Sequence, residues 1–152
     1  MLEMLRDIWE VMFPPKIEFL NFIPNEKAHE TDACPDLKAR GIYRILPGER
    51  VKINTGVRAN IPVNHFVELR PRSGLSSDGL TLLGSPATVD AGYTGVWFVP
   101  LRNDTDKPIV IREGTRVAQW RLERCKRWKG KIVFDLMKTP RGNKGFGSSG
   151  KL

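Results

Sequence analysis

Cysteine and histidine are scarce in this chain of 152 residues: two of each, Cys34, Cys125, His29 and His65, with no CxxC pair and no clustering. A zinc site needs such ligands grouped at short spacing. The zinc-dependent nucleotide deaminases, with a His or Cys triad beside a glutamate, are therefore excluded. Two isolated cysteines read instead as buried, reduced and structural, which suits the cytoplasm. Long apolar runs are missing as well. No stretch approaches the roughly 20 residues that a membrane helix needs. At the N-terminus, Glu3, Arg6, Asp7 and Glu10 interrupt MLEMLRDIWEVMF, where a signal peptide keeps an unbroken apolar stretch. Neither secretion nor membrane insertion is expected, and the NxT triplet at 103–105 reads as chance.

What is present is enough for one core. A mass of 17.2 kDa fits a single domain. With 40% hydrophobic and 28% charged residues, the chain has apolar material to bury and no bias toward disorder. The net charge of +8 favours polyanionic partners through its long-range field. Nucleic acid, an anionic membrane and a nucleoside triphosphate all qualify.

Leu2, Leu5, Ile8, Trp9 and Met12 recur at three- and four-residue spacing, which predicts an amphipathic helix over 2–12, closed by Pro14 and Pro15. Its mixed charges favour packing on its own domain or on a neighbouring subunit over a membrane. From residue 16 the texture becomes all-β: short Val-, Ile- and Phe-rich runs divided by Pro, Gly, Asn and Asp. Strands are expected at 17–23, 50–60, 65–71, 80–83, 96–101, 108–111, 115–124 and 131–135, in a sandwich, jelly roll or barrel. The expected organisation is a helical extension at 1–15, a β domain at 16–138 and a flexible Gly-rich arm at 139–152.

Several segments carry polar chemistry. GFGSSGK at 145–151 matches GxGxxG and most of a phosphate-binding Walker loop. Both patterns need a helix to follow, and Leu152 stands in place of the required Ser or Thr. A Gly-rich segment with Arg141, Ser148 and Ser149 still suits wrapping an anion if something orders it. RPRSGLS at 70–76 is either an ordinary polar turn or one that presents Arg72, Ser73 and Gly74 to a ligand. VDAGYTGVW at 89–97 places Asp90 and Tyr93 in a Gly-punctuated hairpin, where a carboxylate can sit beside an aromatic ring. In TRVAQWRL at 115–122, period-two alternation puts Arg116, Ala118 and Trp120 on one face and Val117, Gln119 and Arg121 on the other. Gln119 is then a site ligand or a polar outward residue, and Asp36 in ACPDLKA at 33–39 is equally ambiguous.

In order, ACPDLKA, RPRSGLS, SPATVDAGYTG, GTRVAQ and RGNKGFGSSG resemble the five signature motifs of the homotrimeric dUTPase family, over residues 33–150. The resemblance implies a distorted β jelly roll, a homotrimer with active sites at subunit interfaces, and a C-terminal arm swapped between subunits. It implies hydrolysis of dUTP to dUMP and pyrophosphate with Mg²⁺, in a cytoplasmic enzyme of bacterial or phage origin. Asp90 would be the general base. Tyr93 would pack beneath the sugar and exclude a 2′-OH, while Gly84, Thr88 and Val89 would contact the base, largely through backbone. Arg72, Ser73, Gly74 and Gln119 would bind phosphates, and Asp36 would support the metal through water. From the arm, Phe146 would stack on uracil beside Gly147, while Arg141, Ser148 and Ser149 would close on the γ-phosphate.

Some positions depart from that pattern: Gly84 replaces an Asn, Ala87 a Gly, and Gly92 an Asp or Ser. The resulting DAGY resembles the related dCTP deaminases, but those carry a catalytic Glu where this sequence has VWFVPL, with Pro100 at the critical step. A basic binding module is the other alternative, motivated by KRWKGK at 126–131. Because Lys and Arg are scattered rather than confined to one stripe, nucleic acid is not the expected partner.

Overall fold

The computed structural model describes residues 1–27, 29–126, 128–140, 142 and 143, and leaves aside the side chains of residues 2, 3, 6, 7 and 10. Arg141, Phe146, Gly147, Ser148 and Ser149, and with them the expected arm, lie outside the described residues. In chain order the elements are α1 (Leu2–Met12), β1 (Glu18–Phe19), β2 (Asp36–Lys38), β3 (Tyr43–Ile45), β4 (Arg50–Asn54), β5 (Ala59–Asn60) and β6 (His65–Arg70). There follow α2 (Ser73–Ser77), β7 (Leu80–Leu82), β8 (Ala87–Asp90), β9 (Phe98–Asn103), β10 (Ile109–Ile111) and β11 (Arg116–Arg124).

The strands form four antiparallel sheets, ordered β2-β11-β6-β8, β4-β9-β7, β10-β3 and β1-β5. They wrap one core in a distorted jelly roll. Alternation along β6 and β9 drives this arrangement: Val67 and Leu69 point inward from β6, Val99 and Leu101 from β9, and their neighbours face out. Phe19, Trp97 and Trp120 meet edge to face at centroid distances of 5.5 to 6.0 Å, the geometry that the ring quadrupole favours. The Trp120 indole N–H donates to the Pro24 carbonyl at 2.8 Å, so the ring is buried without an orphaned donor.

The helix follows its spacing, and its last backbone bond runs from the Phe13 N–H to the Trp9 carbonyl, just before the two prolines. It is not packed on its own domain: Met4, Leu5, Ile8, Trp9 and Met12 are exposed. The expected strand at 131–135 is not formed, and residues 129–138 are exposed throughout. The apolar run Ile132-Val133-Phe134 has the composition of a strand, but among the described residues no strand lies beside it to complete a ladder. Three short strands, β2, β3 and β8, fall outside the expected set, and the long run 50–60 divides into β4 and β5 around Gly56, which holds a left-handed φ of +69°. Only Cys34 is buried; Cys125 is exposed, against the expectation for both. Asn103 of the NxT triplet is fully buried. Its side-chain amide donates to the carbonyls of Ile45 and Lys107, and its oxygen accepts from Thr105, so it is committed to the fold. Among the described residues, no helix is long and apolar enough to cross a membrane.

Candidate active site

The sheet β2-β11-β6-β8 sets four of the sequence segments side by side. Gln119 of β11 lies opposite Asp36 on one side and Arg70 on the other, while β6 carries β8 along its far edge. Asp36, Gln119, Arg70, Glu68, Thr88 and Asp90 therefore share the sheet face turned away from the core. Asp36 is nonetheless covered, with its side chain 1% exposed, because two arginines close over it. Arg72 Nε approaches one carboxylate oxygen at 2.9 Å and Arg116 Nε the other at 3.6 Å. Neither approach aligns as a hydrogen bond, so both oxygens are held by charge alone. Arg72 is further steadied at 3.5 Å by the Arg116 carbonyl, to which its Nη1 donates.

Arg116 was not among the expected site residues, and the reason is local. The ladder shifts register between Arg116 and Ala118, leaving Val117 as an extra residue, a β-bulge. Strict alternation would place Arg116 with Ala118 and Trp120 in the core. The bulge returns Arg116 to the Asp36 face and buries Val117 and Ala118 together. The adjacent apolar pair Val117-Ala118 was the sequence signal for it.

After β6 and Pro71 the chain makes one turn of helix, α2, rather than the expected β-turn. Ser73 and Gly74 lie exposed at its start, beside Arg72, while half-buried Leu75 packs against the core. On the other flank of Asp36, Lys38 pairs with Glu26 at 2.5 Å and holds that carboxyl below its usual range. A cleft of about 300 Å³ opens there, lined by Asp36, Lys38, Arg40 and Phe22.

The Asp90 segment differs from the expected hairpin. β8 pairs with β6, whereas β9 pairs with β4 and β7, so residues 91–97 form a corner between two sheets. Asp90 ends β8 with its side chain exposed, and its carbonyl accepts from the Tyr93 N–H at 3.0 Å. The Tyr93 hydroxyl donates to the Val96 carbonyl at 2.9 Å, laying the ring over Gly95. A Cβ on Gly95 would stand 2.5 Å from that hydroxyl oxygen, so the close approach requires glycine. Arg58 braces the corner through Nε to the Thr94 carbonyl at 2.9 Å, beside a second cleft of about 260 Å³. Val89 points into the core and Thr88 outward. As β8 is the sheet edge, their backbone groups on the side away from β6 have no strand partner among the described residues. Gly84, at a left-handed φ of +64° with open space around it, leads into that edge.

Within one chain the two halves stay apart. Asp90 lies opposite Phe66, and Gln119 opposite Arg70, four residues further along β6, which is roughly 13 Å at the rise of a strand. Arg72 lies beyond that. Pro100, where a deaminase would need a carboxylate, is a half-buried strand residue opposite Lys52. Among the described residues no three His, Cys, Asp or Glu group as a metal cage.

The chain is thus an all-β scaffold that sets the Arg72 guanidinium and the exposed Ser73 at one end of a sheet and the exposed Asp90 carboxylate at the other. The family model for dUTPase matches residues 21–150, and the chain belongs to that family. The deoxyuridine 5'-triphosphate nucleotidohydrolase of Thermobifida fusca is 40% identical over 125 residues, covering 81% of this chain and 70% of that protein. Among solved structures, a mutant dUTPase of Staphylococcus bacteriophage 80alpha with dUpNHpp matches at a TM-score of 0.76 and 27% identity, over 90% of this chain and 99% of that one. A mutant dUTPase from phage phi11 of S. aureus, described for its coordination of a structural Mg(II) ion, shares the fold at a TM-score of 0.70 and 22% identity, over 81% and 99% of the two chains.

Proposed function

We propose that this chain hydrolyses dUTP to dUMP and pyrophosphate in sites shared between copies of a homotrimer, with Asp90 as the general base. The observation that carries the reading is the split site. One sheet gathers Asp36, Arg72 and Gln119 at one end and Asp90 at the other, too far apart for a base and its phosphate clamp to meet on one α-phosphate. Apposing two copies end to end supplies what each lacks. The exposed apolar residues of 131–137 support the same arrangement, since a segment uncovered at home is free to add to a neighbour.

In this reading Arg72, Ser73, Gly74 and Gln119 hold the triphosphate, and the open edge of β8 reads the base through the backbone at Gly84, Thr88 and Val89. Backbone reading accommodates the loss of the family's Asn at position 84. Asp90 orients a water and takes its proton as the α-phosphorus is attacked, and charge developing on the phosphate oxygens meets cations and N–H groups already in place. Arg141, Phe146, Gly147, Ser148 and Ser149 close over base and γ-phosphate. The residues present fit Mg²⁺ only indirectly: the Asp36 oxygens have no aligned hydrogen-bond partner but are covered by Arg72 and Arg116, so metal-bound water would donate to them only if an arginine turned aside toward phosphate. The ion's contribution would be to neutralise phosphate charge.

The test is pyrophosphate release from dUTP, dCTP, dTTP and UTP with Mg²⁺, expected to be selective for dUTP; equal cleavage of UTP, or none of any nucleotide, would count against the assignment. Tyr93 is proposed to exclude the ribose 2′-OH. Gly95→Ala, which displaces that ring, is then expected to lower the preference for dUTP over UTP about tenfold, or roughly 1.4 kcal/mol. An unchanged ratio of kcat/KM values would remove Tyr93 from that role.

A further inference from the structure

Two stretches flanking the β domain keep large apolar side chains in solvent. In α1 these include Ile8, 50% exposed, and Trp9, 62% exposed, with the Phe13 ring 4.4 Å from the Trp9 ring and tilted by 37°. After β11 they are Trp128, Ile132, Phe134, Leu136 and Met137, with Ile132 96% exposed. An isolated helix of 11 residues is marginal in water, so α1 needs a cover. At 100° per residue its charged positions 3, 6, 7 and 10 share one strip, and apolar positions fill most of the remainder.

Charge identifies the cover. Residues 1–15 carry Glu3, Asp7 and Glu10 against the single Arg6, whereas 126–138 carry Lys126, Arg127, Lys129, Lys131 and Lys138 against Asp135 alone. Helix on helix would bring acids together, segment on segment would bring cations together, and an anionic membrane would repel the helix. Helix on segment joins two apolar surfaces of opposite charge. The single chain contains both stretches and leaves the apolar side chains described in each exposed, so the pairing is not made within it. The family match begins at residue 21, which places α1 outside the shared enzyme body.

We propose that α1 of one copy packs on residues 126–138 of a second copy, as a clasp added to the dUTPase body. It rests on copies of the chain associating, and on none of the roles given to site residues. The test uses the full chain in a Cys125→Ser background, with one tagged population carrying Ile8→Cys and a differently tagged one carrying Phe134→Cys, co-expressed and treated with a short bismaleimide. The expected result is a covalent product bearing both tags. That product should be lost when Asp7 and Glu10 are both changed to Lys, and recovered when Lys129 and Lys131 are also changed to Glu. Two results would overturn the clasp: linkage only between chains that carry the same introduced cysteine, or none. dUTP turnover in the same preparations reports separately on the hydrolase reading.

Discussion

Replacing Asp90 with asparagine is expected to lower kcat for dUTP by about 10² to 10⁴, the usual contribution of a general base. The amide keeps the shape of the carboxylate and loses only its capacity to take a proton. Little else should change. Asp90 is an exposed side chain at the end of β8, and the bond that shapes the following corner, from the Tyr93 N–H at 3.0 Å, is made by its main-chain carbonyl. An exposed substitution of this kind typically alters stability by less than about 0.5 kcal/mol. Affinity for a non-hydrolysable dUTP analogue should survive, since the phosphate-binding groups proposed here stand at the far end of β6. Steady-state pyrophosphate release, a binding isotherm and a thermal melt on one preparation separate these quantities. Near-normal turnover would mean that another group activates the water, and a parallel loss of binding would move Asp90 from proton transfer to substrate positioning.

The contrast between what could be read in the sequence and what could not follows the range of the interactions concerned. The helix at Leu2–Met12 was legible because its period and the two prolines after it are local facts. Strands β6 and β11 were legible because alternating burial over six or more residues leaves a clear period. Strand β2, three residues containing a buried carboxylate, has no such period; its place is set by pairing with β11 some 80 residues later. The same distance hid the Asp36–Arg116 contact. A one-residue bulge at Val117 reverses the facing of everything before it, and alternation counted from Trp120 backwards assigns Arg116 to the core. The segment 131–135 fails in the opposite sense. Its composition is that of a strand, but a strand needs a partner, and none lies beside it among the described residues.

Asp36→Asn is expected to lower the melting temperature by roughly 5 to 10 °C and kcat/KM for dUTP by at least about tenfold. The stability effect follows from burial. With the carboxylate neutralised, Arg72 and Arg116 face each other without a counter-charge, and breaking a pair of this kind costs about 2 to 3 kcal/mol when the arginines keep partial access to water. For a domain of this size that corresponds to the stated shift. The activity effect follows from aim: Arg72 is proposed as a phosphate ligand, and the Asp36 oxygen at 2.9 Å fixes its guanidinium. Removing Arg116 as well should then relieve the repulsion. The double variant Asp36→Asn/Arg116→Ala is expected to be less destabilised than the sum of the two single variants, with a coupling of about 0.5 to 3 kcal/mol. The same cycle tests the metal assignment. If Asp36 acts only by holding arginines, the Mg²⁺ concentration for half-maximal activity should be unchanged in Asp36→Asn; a rise would show that its oxygens also receive metal-bound water. Additive losses in the double variant would mean that the two arginines and the carboxylate do not act as one unit.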